Sequence, residues 1–329
     1  MTPADFATFS NNAVMFASIV YVLAFVAHVT EWATARSDAV APAEDRELAR
    51  AGAASGSSAP VDRVRTGTPA AAPEDRAERW GRIGLSLTVV ATVLHLVALV
   101  TRGLGADPVR VPWGNMYEFT LAGAFGVSLM YLLLGRRYDL RWMGLPVTGF
   151  EVVVLMLAGL LLYVPAGPLV PALHSYWLVI HVAAAVIASG AFAVGTIAAV
   201  LYLVKHRATA RGSIRPGGYL DRLPDLPALD RLSYRLHAFG FPIWTFAALV
   251  AGPIWAEYAW GRYWNWDPKE VWAFITWVVY AAYLHARATA GWRGKAAAII
   301  AIVGFATLVF NFVGINFFFG GGSLHSYSG

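Results

Sequence analysis

Apolar residues run through this chain in long blocks, and polar residues are confined to the stretches between them. Blocks near the ~20 residues that carry a helix across a bilayer fall at 13–32, 83–100, 117–134, 142–164, 174–204, 239–258, 268–284 and 296–319. The pattern predicts an all-α polytopic membrane protein with about eight transmembrane helices. Two polar stretches are longer than a turn. Residues 34–79 hold no aromatic side chain, many Ala, Pro, Ser and Gly, and charges of both signs, which predicts a disordered linker. Residues 205–236 instead alternate Tyr219, Leu220, Leu223, Leu226, Leu229, Leu232 and Tyr234 with Asp and Arg, predicting short amphipathic pieces on a membrane face. The expected organisation is a first transmembrane helix over 1–33, the linker over 34–79, and a seven-helix membrane domain over 80–329.

Composition strengthens this reading. Of 329 residues, 58% are hydrophobic and only 14% charged, against roughly a quarter charged in a soluble domain. The first Arg is Arg36, so 1–32 lacks a basic leader segment and reads as a retained span rather than a cleaved signal. The net charge of +5 gains meaning only from its placement. With the N-terminus outside, 21 of the 25 Lys and Arg fall on cytoplasmic segments, and Arg102, Arg110, Arg262 and Lys269 alone lie outside. That bias places both termini on the extracytoplasmic side. The absence of cysteine excludes disulfides, thiol exchange and thiolate metal ligands. Nucleic acid is not an expected partner.

Six of the 13 tryptophans crowd into residues 255–277, WAEYAWGRYWNWDPKEVWAFITW. An interfacial belt explains one or two per helix end, such as Trp113, Trp142 or Trp292, but not this density. Asp267, Pro268 and Glu270 are spaced as N-cap, first helical residue and capping-box partner, so a span starts here with the tryptophans on a defined outer loop. Rigid aromatic surfaces next to single histidines suit a flat, apolar, metal-centred ring such as haem. Eight histidines supply candidate ligands. His174 and His181 lie seven residues apart on one helix face, and spacing does not choose between them. His285 lies 18 residues after Asp267, about 27 Å of helix away, too far to share an iron with the loop. His28 sits at a similar depth, His95 is within the second span, and His206 and His237 flank a loop and are expected at the surface. Glu118 and Glu151 are carboxylates in spans that need partners.

The run AWGRYWNWDPKEVWAFITW, with YLH at 283–285, WGNMYEF at 113–119, LHSYWLVIHV at 173–182, LDRLSYR at 229–235 and GINFFFGGGSLHSYSG at 314–329, resembles the haem-handling membrane proteins with a "WWD" signature. More closely, it is similar to the CcsA/ResC type, the haem-handling subunit of the system II cytochrome c synthetase. The resemblance covers residue 80 onward and the first span, and sets no expectation for 34–79. It implies a WWD loop over 255–272 in which Trp255, Trp260, Trp264, Trp266, Asp267 and Trp272 form a shelf for haem b. It also implies His181 and His325 as the iron ligands there, and His285 as ligand of a deeper second haem whose other ligand comes from a partner.

The activity implied is thioether attachment of haem to apocytochrome c outside the bacterial cytoplasmic membrane; a thylakoid membrane is the lesser alternative. The implied partners are a CcsB/ResB-type membrane subunit with a large outer domain, apocytochrome c with reduced cysteines and, indirectly, thiol-reducing proteins. A haem transport or chaperone subunit without ligation activity, a membrane electron-transfer cytochrome, and more distantly a channel stand as alternative readings.

Overall fold

The computed structural model describes residues 2–40, 73–167, 173–289 and 291–319; most of the expected linker, and His325, lie outside these residues. All regular structure among the described residues is helical. In chain order the helices are α1 Pro3–Val40, α2 Pro73–Leu104, α3 Met116–Gly135, α4 Arg141–Leu162, α5 Tyr176–Ala210, α6 Tyr219–Arg222, α7 Leu226–Trp260, α8 Pro268–Thr289 and α9 Lys295–Phe318. Helices α1 and α2 therefore overrun both edges of the predicted linker.

Among the described residues seven helices are long and apolar enough to cross a membrane: α1 to α5, α7 and α9. The eighth expected span, 268–284, is helical as α8, 22 residues or about 33 Å long, but it is not apolar enough to count among the seven. Its hydropathy is lowered by Lys269, Glu270, Arg287 and its aromatic hydroxyls, yet Tyr280 and Tyr283 are buried inside the bundle. The protein is an all-α polytopic membrane protein.

Hydrophobic association is weak between helices bathed in lipid, so their packing depends on small residues that let backbones approach. Helices α1 and α2 pair antiparallel through a seam of Ala17, Ala24, Ala91 and Ala98, each 0% exposed, while Phe16, Ile19, Leu23, Val90 and Val93 point outward. Helix α3 crosses α5 so closely that a Cβ at Gly190 would stand 2.6 Å from the Gly126 carbonyl oxygen. Helix α5 is central, and its Phe192 stacks on Tyr280 of α8 with ring centroids 4.1 Å apart.

Each end of the bundle is tied by side chains. At the basic end, Arg222 Nη2 donates to the Ala35 carbonyl at 2.6 Å, Tyr219 Oη to Trp142 at 2.8 Å, and Arg287 grips Asp230 with two bonds of 2.8 and 2.9 Å. At the tryptophan end, Leu173, Leu178 and Trp255 pack with Trp113 and Trp260.

Helix α7 begins 13 residues before the predicted start at 239, with Asp225 Oδ1 accepting from Ala228 N at 2.7 Å as its cap. Leu226, Leu229, Leu232 and Tyr234 of the amphipathic stretch thus lie in the first turns of a long helix, and α6 is its one separate short piece. This early start corrects the expectation for His237. It is 0% exposed, its Nδ1–H donates to the Ser233 carbonyl at 2.7 Å, and its ring stacks on Phe192. Position 237 lies three turns inside a helix that the apolar block alone did not reveal.

Candidate functional site

The site starts from a defect in α7. Pro253 has no N–H to give, and the helix widens into a π turn over Ala247–Ala251 immediately before it. The Ala247 carbonyl accepts from Gly252 N and also from His181 Nδ1, the latter at 2.8 Å. A carbonyl only accepts, so Nδ1 carries the proton and Nε2 carries the lone pair. That is the tautomer of a metal ligand, fixed by a backbone partner behind it. The ring is boxed in: a Cβ at Gly252 would stand 3.1 Å from His181 Cε1, and Trp255 lies nearly parallel at 15° with centroids 6.0 Å apart.

Past α7 the chain turns at Gly261, φ 71°, into the loop that precedes α8. The expected capping box is present. Asp267 Oδ1 accepts from Lys269 N at 3.0 Å, and Glu270 Oε2 accepts from Asp267 N at 3.1 Å and from Asn265 N at 2.8 Å. The two amides held by Glu270 flank Trp266, the one non-glycine residue with positive φ (56°) among the described residues. Its indole is 70% exposed. A left-handed conformation costs a bulky residue roughly 1–2 kcal/mol, which the clamp of Glu270 on both neighbours offsets. Strain of this kind, held in place by its surroundings, marks functional loops.

Behind this loop lies a cavity of about 530 Å³ between α3, α4, α5, α7, α8 and α9, within the ~300–1,000 Å³ range of small-molecule sites. His181, Trp255 and Trp264 share its wall with Lys269 and Glu270. Three π turns contribute to it, through Leu162 of α4, Ala248 of α7 and Asn311 of α9. The rest of the wall is almost entirely apolar, with Phe119, Phe150 and Phe312 prominent.

None of the other predicted site residues among the described ones lines this cavity. Trp260 meets Trp255 edge-on at 4.9 Å, Trp266 meets Trp264 edge-on at 5.8 Å, and Trp272 packs on Phe310 at 4.2 Å. The tryptophans therefore form two cavity-facing rings with buttresses rather than one flat shelf. Asp267 is buried in the cap. His285 is exposed on α8, well away from the cavity wall. His28 is enclosed: its Nδ1 lies 3.1 Å from Glu31 Oε2, and Cβ atoms at Gly84 or Gly144 would come within 2.7 or 2.5 Å of its ring. His95 is buried edge-on to Tyr21 and Phe125, His206 stacks on Tyr202, and His174 is exposed just before α5. Asn311 escaped the sequence reading, although a polar side chain within an apolar block is a usable signal.

Glu118 closes the same end of the bundle. Its carboxylate accepts from Arg102 Nε at 3.0 Å, Arg110 Nη1 at 2.6 Å and Gly114 N at 2.7 Å. Arg102 also reaches the Val164 carbonyl and Arg110 that of Gly167. The network joins the end of α2, the loop carrying Trp113, the start of α3 and the segment after α4. Glu118 thus orients helices. Glu151 is buried on α4, near Tyr21.

A family model described as cytochrome C assembly protein matches residues 113–321 of this chain. The chain is 35% identical over 261 residues to the cytochrome c biogenesis protein CcsA of Guillardia theta, covering 74% of this chain and 85% of that relative. It is 37% identical over 252 residues to the CcsA protein of Porphyra purpurea, covering 66% and 78%. A third similar protein, CcsA of Synechococcus sp. (strain JA-3-3Ab), is 36% identical over 299 residues, covering 75% and 84%. The match begins at Trp113 and takes in His181, the π turn of α7, the tryptophan loop and α9.

Proposed function

The chain belongs to the cytochrome c assembly protein family, and from that premise we propose that it binds haem b in the cavity at His181 and promotes its thioether attachment to apocytochrome c. A role in cytochrome c biogenesis comes with the family. The finer reading rests on one observation above all: a histidine held by a backbone carbonyl in the ligating tautomer, in an apolar cavity walled by Trp255 and Trp264.

Haem is here substrate and cargo. Each thioether forms when a cysteine S–H adds across a vinyl C=C, sulfur to one carbon and hydrogen to the other, so atoms balance and no oxidant is consumed. The work left to the protein is positioning and exclusion of water. His181 Nε2 holds the iron on one side, and His325, from the tail, supplies the second ligand. The incoming cytochrome supplies the replacement ligand when it takes the haem away. The tryptophan end faces out of the bacterial cytoplasmic membrane, where the apocytochrome arrives with reduced cysteines maintained by thiol-reducing proteins. His285, exposed at the basic end of α8, is the ligand of a second haem shared with a CcsB/ResB-type subunit that also contributes a large outer domain.

The test is co-expression of the full chain, its CcsB/ResB-type partner and a reporter apocytochrome c in a bacterium lacking its own maturation system. The expected result is a cytochrome that retains haem after denaturing electrophoresis, absent when this chain is omitted. Haem recovered with the chain but never covalently on the reporter would instead favour a transport role.

The strained indole provides a second test. Trp266→Gly relieves the left-handed conformation, so the melting temperature is expected to stay level or rise by a few degrees while covalent haem on the reporter falls. A lower melting temperature together with intact maturation would show that the indole serves packing alone.

A further inference from the structure

We propose that haem reaches the cavity at His181 sideways out of the bilayer, through an apolar opening between α4 and α9, while the apocytochrome approaches from the water side at the tryptophan loop. This rests on haem occupying that cavity. The wall begins deep in the bundle with Leu178, Val182 and Ala193 of α5, all buried. A Cβ at Gly123 of α3, also on the wall, would meet nothing within 4 Å, so open space reaches the backbone of that helix. The wall ends on Leu157 and Leu161 of α4 and on Val309, Val313 and Phe317 of α9, all of them exposed, Leu161 and Phe317 by 68% and 62%. Both helices are long and apolar enough to cross a membrane.

An exposed apolar side chain on a membrane span ordinarily faces lipid and is separated from the interior by its own helix. Here the same five side chains are exposed and line the cavity, so the space inside is continuous with the space outside across an edge of hydrocarbon and one aromatic ring. Both rims are also interrupted helices: Leu161 lies in the π turn of α4 and Val313 in that of α9. A π turn breaks the regular ladder and lets a helix bend, so these rims part more readily than unbroken helices. The chemistry of the two substrates divides them between two mouths. Haem is flat, mostly apolar and soluble in lipid, whereas an unfolded polypeptide carries backbone N–H and C=O groups that lipid cannot satisfy. Tyr263, 60% exposed on the loop before α8, gives the cavity a second exposed wall there. Haem entering between α4 and α9 leaves the loop side open to the cysteines of the apocytochrome.

The chain has no cysteine, so a pair introduced at the two rims carries all of its thiol chemistry. Full-length protein with Leu161→Cys and Val313→Cys, stripped of haem and held in lipid nanodiscs, is joined with bismaleimides of graded length whose spacer contains a reducible disulfide. Haem is then supplied from haem-loaded phosphatidylcholine vesicles, and its uptake is followed by the Soret band. Joining the rims is expected to slow uptake by about ten-fold or more, and cleaving the spacer to restore it. Haem loaded before joining is expected to stay bound, and either cysteine capped alone to leave uptake unchanged. Uptake at the unjoined rate after joining would overturn the proposal and send haem through the loop mouth with the apocytochrome. Failure of every spacer to join the pair would overturn it too, because the rims would not face one another. His181→Ala separates this from the underlying reading: in the unjoined protein it is expected to weaken haem retention. If retention is unchanged, the cavity reading itself fails, whatever the rims do.

Discussion

His181→Ala is expected to lower haem affinity at least ten-fold and to abolish covalent haem on a reporter cytochrome, with added imidazole restoring the absorption bands. Disturbing only the group behind a ligating histidine typically costs ten- to a hundred-fold, so removal of the ligand sets a floor at that level. The ring is held from behind by the Ala247 carbonyl at 2.8 Å and alongside by Trp255. Its deletion therefore leaves a shaped space that free imidazole fills. A graded variant is available in Gly252→Ala, whose methyl would stand 3.1 Å from His181 Cε1. It is expected to keep haem but shift the Soret and α bands as the ring gives way. Unchanged spectra and intact maturation in His181→Ala would remove this histidine from the iron.

Glu118→Ala is expected to be the most destabilising single change, on the order of 3–5 kcal/mol. Glu118 is 0% exposed, and Arg102 and Arg110 are 1% and 8% exposed at their side chains. Deleting the carboxylate leaves two guanidiniums buried with no counter-charge, a larger penalty than the pair's own net worth. Gly114 N loses its acceptor in the same step. The readout is the temperature at which detergent-solubilised protein loses its monodisperse gel-filtration peak, with Glu118→Gln falling between the wild type and the alanine variant. A shift of a degree or less in Glu118→Ala would mean the arginines are reached by water and the network ties nothing together.

The two predictions draw on different kinds of information. Glu118 was visible in sequence as a carboxylate inside an apolar block, but its partners were not: Arg102 closes the preceding helix and Arg110 sits in a loop. His181 and His174 were indistinguishable by spacing, and the family motif favoured His181. Only the π turn of α7 shows what holds its ring, because the carbonyl comes from residue 247, 66 positions away. His237 was misplaced for a related reason. A hydropathy block marks where a helix crosses lipid and not where it begins, and α7 starts at Leu226 on an amphipathic stretch. The conformation of Trp266 left no local trace, since a tryptophan carries no preference for positive φ and is held there by Glu270.

What the sequence determined by itself was the set of helices, the capped start of α8 and the alternation of basic and tryptophan-bearing ends. These depend on interactions within a few residues, and on the requirement that a chain in lipid satisfy its own backbone. The tertiary structure alone decided the cavity, the enclosure of His28, the burial of His237 and the division of the tryptophans into two lining rings and their supports. Each of these joins side chains from helices far apart in the chain. Their meeting is set by close backbone crossings, such as Gly126 against Gly190, and by π turns that re-aim whole helix faces, and no local pattern of residues encodes either.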